Sequence, residues 1–144
     1  MIKRIGVIIL PLLILMSISF AQSPKALTGI KFYEGKWADA LIKSKKEGKP
    51  IFLDISASWC GPCKLLKRNT FTDKAVGDFF NKNFINVELD GEVGEGKQLA
   101  QYYNLEAYPS LFFVNGQNKI IHKSLGYMTP EALIELGKVA LTKK

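Results

Sequence analysis

The sequence predicts an α/β domain with a central mixed β-sheet flanked by helices on both faces. Short apolar runs that are typical of buried strands alternate with segments whose apolar residues recur at helical spacing. The last two apolar runs are joined by Asn115 to Asn118, a turn sequence that predicts an antiparallel hairpin. Strand and helix pairs followed by a hairpin imply a sheet with both parallel and antiparallel neighbours.

The first predicted elements are a helix, a strand and a second helix. The helix begins at Trp37, where apolar residues start to recur at helical spacing, and ends before Gly48 to Pro50. The strand, Ile51 to Ile55, is apolar apart from Asp54, as expected of a buried strand. The second helix is predicted from Pro62 to Asn69.

The rest of the chain continues the alternation. Thr72 or Asp73 caps a helix that reaches about Asn81, and Phe84 to Leu89 is predicted to be a second buried strand. The remaining predicted elements are a helix over Lys97 to Tyr103, hairpin strands over Leu111 to Val114 and Lys119 to Lys123, and a last helix opened by Thr129, Pro130 and Glu131.

The first 21 residues have the pattern of a secretory signal peptide. Met1 to Arg4 carries two positive charges, an apolar run follows from Ile5 to Phe20, and Ser19 and Ala21 supply the small residues that signal peptidase requires. The apolar run is shorter than the roughly 20 residues that span a bilayer. We therefore expect cleavage near Ala21 and export, into a bacterial periplasm, with a retained membrane anchor as the alternative.

Cleavage would leave a single compact domain. We expect an N-terminal lead-in over 22–36, loose over Gln22 to Lys31, and a folded monomeric domain over 37–144. The formal net charge is +7, but the lysines are spread along the chain. The densest cluster, Lys43 to Lys49, is expected to keep a helix end solvated, so we expect no nucleic-acid partner.

The most informative motif is Trp59 to Lys64, which contains the only two cysteines of the chain, Cys60 and Cys63. Two thiols at this spacing can cycle between dithiol and disulfide, and this disulfide is the only redox group required. Because a helix N-terminus favours negative charge, Cys60 is the expected nucleophile. Cys63, one turn later, is the expected resolving thiol. Gly61 and Pro62 keep the turn compact and start the helix.

Asp54 is the second candidate for a role in the chemistry. A carboxylate in an otherwise apolar strand is costly unless it is paired or protonated, so burial would raise its pKa and suit it to general-base work near neutrality. An aspartate that faces the edge of the domain is the alternative. We favour the general base because perturbed carboxylates beside reactive groups are typical of functional sites.

Two other interpretations of the cysteine pair are weaker. Zinc or copper binding would need further ligands, and the chain has one histidine, His122, and no second C-x-x-C motif, so no metal is expected. A purely structural disulfide in an interaction module would close so small a loop that it would stabilise little.

Phe52 to Lys64 resembles the active-site region of the thioredoxin superfamily, and the resemblance extends from about Trp37 to the C-terminus. It implies a thioredoxin fold in which the buried carboxylate of Asp54 handles the proton of the second cysteine. It also implies a cis-proline opposite the thiols and a substrate groove. The residues that would bind substrate are Trp59, Gly61, Pro62, Tyr108, Pro109 and Gly126.

The sequence departs from cytosolic thioredoxin in two places. In our alignment Asn86 stands where that protein has a lysine near the buried carboxylate, so proton transfer through Asp54 runs differently or another lysine reaches the site. Gly91 to Lys97 is expected to lengthen a loop by about four residues, as surface loops tolerate. The segment from Trp37 to Ile51 is more similar to secreted thioredoxin-like proteins and to the periplasmic C-terminal domain of DsbD.

The resemblance also suggests the direction of electron flow. Gly61 and Pro62 between the cysteines resemble the reducing members of the superfamily, so we expect a protein-disulfide reductase that acts on disulfide-bearing exported proteins. A reductase in an oxidising compartment needs electrons from across the membrane, which implies a membrane thiol reductase as donor. A disulfide oxidase or isomerase of the same fold is the alternative.

Overall fold

The computed structural model describes residues 28–144, so the predicted signal peptide and the start of the lead-in lie outside the described residues. None of the helices in this described part has the length and apolarity needed to cross a membrane. The elements are α1 (Trp37–Glu47), β1 (Ile51–Ser56), α2 (Gly61–Asn69), α3 (Lys74–Asn83), β2 (Ile85–Asp90), α4 (Gly94–Tyr102), β3 (Ser110–Val114), β4 (Ile120–Leu125) and α5 (Pro130–Thr142).

The four described strands form one mixed sheet in the order β2-β1-β3-β4. β1 pairs in parallel with β2 and antiparallel with β3, and β3 and β4 form the predicted antiparallel hairpin. Every residue of β1 is buried, as expected of a strand with neighbours on both sides. The register places Asp54 between Glu88 of β2 and Leu111 of β3.

The helices cover both faces of the sheet, which confirms the predicted fold class. On one face Leu53 and the alternate residues of β1, Ile51 and Ile55, pack with residues of α1 and α4. On the other face Phe52 packs with residues of α2, α3 and α5, including Leu66, Phe80 and Leu133. Because side chains alternate along a strand, Asp54 shares the face of Phe52, which is the face that α2 covers.

The predicted boundaries need one correction, at the start of α4. This helix begins at Gly94, three residues before the predicted start at Lys97, so part of the predicted loop from Gly91 to Lys97 is the first turn of the helix. Glycine makes this possible at Gly96, where a Cβ atom would lie 2.0 Å from the backbone oxygen of Asp90. The first turn of α4 therefore approaches the end of β2 closely.

The early start of α4 also gives this segment a structural role. The Glu95 carboxylate accepts a hydrogen bond of 3.1 Å from the backbone N–H of Trp37, the first residue of α1. An acidic side chain there satisfies one of the unpaired N–H groups of that helix end and complements its dipole.

The described part of the lead-in, residues 28–36, is packed onto the domain. The prediction that Gln22 to Lys31 is loose is wrong for residues 28–31, the part of that segment that the structure describes. The N–H of Ile30 donates to the Phe71 carbonyl at 2.7 Å, and that of Tyr33 to the Asn86 carbonyl at 2.8 Å. Ile30, Phe32 and Tyr33 also pack against the two cores. Burial of these apolar side chains explains why the segment is held.

Candidate active site

The two cysteines lie at the N-terminus of α2 and are joined by a disulfide bond with a Cα–Cα distance of 5.3 Å. Cys60 is the N-cap residue of the helix, and its sulfur accepts the backbone N–H of Cys63 at 3.2 Å. Both side chains are buried in this oxidised form. An N–H group aimed at the Cys60 sulfur, together with the helix dipole, would stabilise a thiolate there after reduction.

The residues between the cysteines explain why the helix begins at this point. Pro62 lies in the first turn, where its missing N–H group breaks no hydrogen bond of the helix. Around Gly61, the position of a Cβ atom has no neighbouring atom within 4 Å. Gly61 therefore leaves the surface beside the sulfur atoms open.

Asp54 has the most perturbed environment of the predicted site residues. It is fully buried, and neither carboxyl oxygen has a hydrogen-bond partner among residues 28–144. Burial raises its pKa from the ordinary value of 3.8 to about 8, with a further increase from the negative charge of Glu88. The positive charge of Lys67 and the nearby Ser56 side chain offset part of this increase. At neutral pH the carboxyl group is therefore mostly protonated, and its ionised form is a stronger base than an ordinary carboxylate.

Two residues of this site were not identified from the sequence. On β2 the neighbour of Asp54 is Glu88, and Lys67 of α2 forms an ion pair with the Glu88 carboxylate. Asn86, which our alignment placed beside the buried carboxyl, instead pairs in register with Phe52, and its amide donates to the Lys31 carbonyl at 3.4 Å. The lysine that reaches the site is therefore Lys67.

The predicted substrate residues Trp59 and Tyr108 lie together beside the cysteines. The Trp59 side chain is 68% exposed, and its ring meets the Tyr108 ring edge-on at a centroid distance of 5.7 Å. Tyr108 packs against the cluster of Ala57, Cys60 and Cys63. Its hydroxyl donates to the Glu92 carboxylate at 2.8 Å, so Glu92 is a further neighbour that sequence reasoning missed.

The segment opposite the cysteines contains Pro109 and Gly126. The peptide bond between Tyr108 and Pro109 is cis, as the resemblance implied. The Gly126 N–H donates to the Pro109 carbonyl at 2.9 Å, which brings the end of β4 to this loop. Gly126 has a φ of 84°, a conformation that favours glycine, and space for a side chain is empty around it.

Within residues 28–144, no group of three or more histidine, cysteine, aspartate or glutamate side chains is placed to hold a metal ion. His122 lies on β4, away from the cysteines in the sheet order, and its ring packs against Phe113.

The fold and this geometry agree with known proteins. A family model described as thioredoxin-like matches residues 32–116. The chain is 30% identical over 102 residues to a thioredoxin H-type of Fagopyrum esculentum, covering 71% of this chain and 82% of that protein. It is 35% identical over 89 residues to the thiol:disulfide interchange protein DsbD of Campylobacter jejuni (strain RM1221), covering 60% of this chain and 15% of that longer protein.

Among solved structures, a candidate disulphide-isomerase from Bacteroides thetaiotaomicron superimposes with a TM-score of 0.71 at 35% identity. The match covers 81% of this chain and 97% of that one. The chain belongs to the thioredoxin-like family. With the Cys60–Cys63 disulfide at the head of α2, it is a thiol–disulfide oxidoreductase of that family.

Proposed function

We propose that the protein reduces disulfide bonds in exported proteins. The observation that carries the proposal is the position of Cys60, which caps α2 with its sulfur on a backbone N–H group while Cys63 lies one turn further along. A nucleophilic thiol and a resolving thiol are thus held within bonding distance of each other, beside the exposed ring of Trp59. This arrangement supports exchange with a disulfide on another protein.

The reaction takes two steps. In the first, the Cys60 thiolate attacks one sulfur of the substrate disulfide, a mixed disulfide forms and the other substrate sulfur leaves as a thiolate. In the second, Cys63 gives its proton to the Asp54 carboxylate and attacks the Cys60 sulfur, and the second substrate thiolate leaves. The substrate gains two electrons, and the cysteine pair ends as the disulfide described above.

The surface around the cysteines would hold an extended segment of the substrate. Trp59 and Tyr108 offer aromatic contact area, and the Tyr108 backbone beside Pro109 would pair with the incoming chain. The open spaces at Gly61 and Gly126 would let that chain approach without steric conflict.

Each turnover leaves a disulfide that must be reduced again. If residues 1–21 direct export as the sequence predicts, no cytosolic reductant is at hand, and a membrane thiol reductase would have to supply the electrons. The similarity to a part of DsbD, a thiol:disulfide interchange protein, supports electron exchange with another disulfide-bearing protein.

The similarity to the Bacteroides protein favours a second candidate function. That protein is described as a candidate disulphide-isomerase and is matched over nearly its whole length. An isomerase would use the same attack by Cys60 on a substrate disulfide but would let a substrate thiol, rather than Cys63, resolve the intermediate.

A trapping experiment tests the proposed function. The Cys63→Ser variant should accumulate mixed disulfides with exported proteins, because Cys60 still attacks and nothing resolves the product. Dithiothreitol should reduce these mixed disulfides and release the trapped proteins. A matched variant with both Cys60→Ser and Cys63→Ser should form no such complexes. The wild-type protein should also accelerate insulin reduction. A Cys63→Ser variant that traps nothing, together with a wild-type protein that leaves insulin oxidised, would refute the function.

A further inference from the structure

The aromatic surface beside the cysteines carries a carboxylate at its edge. Tyr108 packs against the cluster that contains both cysteines, and its hydroxyl donates to the Glu92 carboxylate at 2.8 Å. One tyrosine side chain therefore separates this carboxylate from the reactive pair. Glu92 is exposed and lies in the segment from Gly91 to Lys97, to which the reaction above gives no role.

The loop around Glu92 is fixed to the site by several contacts. The Gly91 N–H donates to the Ser56 carbonyl at 2.8 Å, which ties the loop to the end of β1. The Glu92 N–H donates to the Asp90 carboxylate, also at 2.8 Å. A Cβ atom at Gly91 would lie 2.6 Å from the hydroxyl oxygen of Tyr108, so the absence of a side chain lets the tyrosine lie against this loop. Glu92 is thus held in place beside the aromatic surface.

The charge at this edge is negative, although the chain as a whole has a formal net charge of +7. Burial, the hydrogen bond to Glu92 and the negative charges of Glu92 and Asp90 raise the pKa of Tyr108 to about 12, so its hydroxyl remains a donor at neutral pH. This hydroxyl binds the Oε1 atom of Glu92, which leaves Oε2 to accept from a substrate. Lys97, the basic residue of the segment, lines a separate hollow between Tyr108 and α4.

The proposed path of the substrate would bring one of its side chains to this carboxylate. In an extended segment, every second side chain points to the same side, and these side chains are about 7 Å apart. With the substrate cysteine at Cys60 and the substrate backbone along Tyr108, the residue two positions from that cysteine would lie over the tyrosine ring. A lysine or arginine there would cover the ring with its aliphatic stem and reach the Glu92 carboxylate with its charged end.

We propose that Glu92 is a specificity residue that selects disulfide substrates with a lysine or arginine two positions from the reactive cysteine, a role that rests on the proposed function. The exchange chemistry stays with Cys60 and Cys63. Glu92 stabilises the mixed disulfide with such a substrate through a charge-assisted hydrogen bond. It repels an acidic residue at the same substrate position, so it discriminates by attraction and by repulsion.

Disulfide-linked peptide dimers of the sequence X-Ala-Cys-Ala-X, in which X is lysine, glutamine or glutamate, test this role. The reduced protein is mixed with each dimer, the reaction is quenched in acid, and the loss of protein thiols is followed by mass. The rate constant for the lysine dimer divided by that for the glutamate dimer gives the selectivity. Because charges beside a cysteine also change its intrinsic reactivity, the same ratio measured with dithiothreitol is divided out.

The corrected selectivity of the wild-type protein should favour lysine by about fivefold, as expected of exposed charge pairs. Glu92→Gln keeps an acceptor for the Tyr108 hydroxyl but removes the charge, so the ratio should fall to about one. Glu92→Lys should invert the preference. In about 1 M salt, where the Debye length is about 3 Å, the wild-type preference should disappear. Glu135→Gln is the matched control, because it removes an exposed negative charge from α5 and should keep the wild-type ratio.

The outcomes separate this inference from the proposed function. A wild-type protein that reduces neither insulin nor any of the dimers would refute the exchange reaction itself. A wild-type protein that reduces the dimers with a corrected ratio near one, or a Glu92→Gln variant that keeps the wild-type ratio, would overturn the role of Glu92. A Glu92→Gln variant that is slower with all dimers by the same factor would also overturn it, since such a loss is structural.

Discussion

At the scale of single residues, Asp54 links stability to chemistry. Its carboxyl group is buried without a hydrogen-bond partner among the described residues, which costs free energy whenever the group is ionised. The same burial raises its pKa to about 8 and makes the ionised form a base strong enough for a cysteine thiol. The protein therefore retains a destabilising residue at the point where the proposed reaction needs it.

Replacement of Asp54 by asparagine should stabilise the protein in a pH-dependent way. The folded-state pKa lies above the unfolded value, so the native form binds the proton more tightly and loses stability as pH rises from about 4 to about 8. The amide of the introduced asparagine does not titrate in this range. We expect Asp54→Asn to exceed the wild type by about 5 kcal/mol at pH 8 and to match it near pH 4, measured by urea unfolding.

The control for this prediction is Asp78→Asn, which removes an exposed charge on α3 and should change the free energy of unfolding by less than about 0.5 kcal/mol at either pH. An equal gain for Asp54→Asn at pH 4 and pH 8 would contradict the assigned ionisation. When the reduced protein reacts with the aromatic disulfide DTNB, attack by Cys60 releases one coloured thiolate and attack by Cys63 releases the second. In stopped-flow absorbance, Asp54→Asn should slow the second release and leave the first unchanged.

The residues of the site differ in how far the sequence could identify them. Cys60 and Cys63 stand out because they are the only cysteines, and Asp54 because it interrupts an apolar strand. Glu88 gave the same kind of signal in β2, but its significance depends on the register with β1. Lys67 looks like any solvated helix lysine, and only the packing of α2 on the sheet brings it to Glu88.

At the scale of elements, the order of helices and strands could be predicted almost completely. The turn at Asn115 to Asn118 and the cap at Thr129 both lie where the sequence indicated, with the Asn115 side chain accepting two backbone N–H groups of its own turn. The start of α4 was missed because glycine has a low helix propensity. Close approach of Gly96 to β2 outweighs that propensity, and such tertiary contacts are not visible in one sequence.

Substitution of Gly77 in α3 tests how the lead-in is held on the domain. A Cβ atom there would lie 2.3 Å from the backbone oxygen of Gly29, so Gly77→Ala should displace the segment. We expect at least tenfold faster hydrogen exchange at the Ile30 and Tyr33 amides and a loss of about 1–3 kcal/mol in stability. Lys82→Ala, at an exposed position of the same helix, should change neither, and unchanged exchange in Gly77→Ala would show that the contact is not needed.

At the scale of the whole molecule, one mixed sheet with helices on both faces presents the cysteine pair at the end of its central strand. The fold could be predicted because alternating apolar runs, the hairpin turn and the motif around Cys60 all agree. The packing of residues 28–36 could not be predicted, because an apolar segment before the first helix carries no local signal of where on the domain it binds. The central claim at this scale is the direction of electron flow.

The reduction potential of the Cys60–Cys63 pair tests that claim most directly. The protein would be equilibrated in thiol buffers of defined potential, and its free thiols would be alkylated and counted by mass. A reductase should give a value of about −270 mV, as in thioredoxin. A value of about −120 to −180 mV would contradict the proposed direction and assign the protein to disulfide formation or isomerisation.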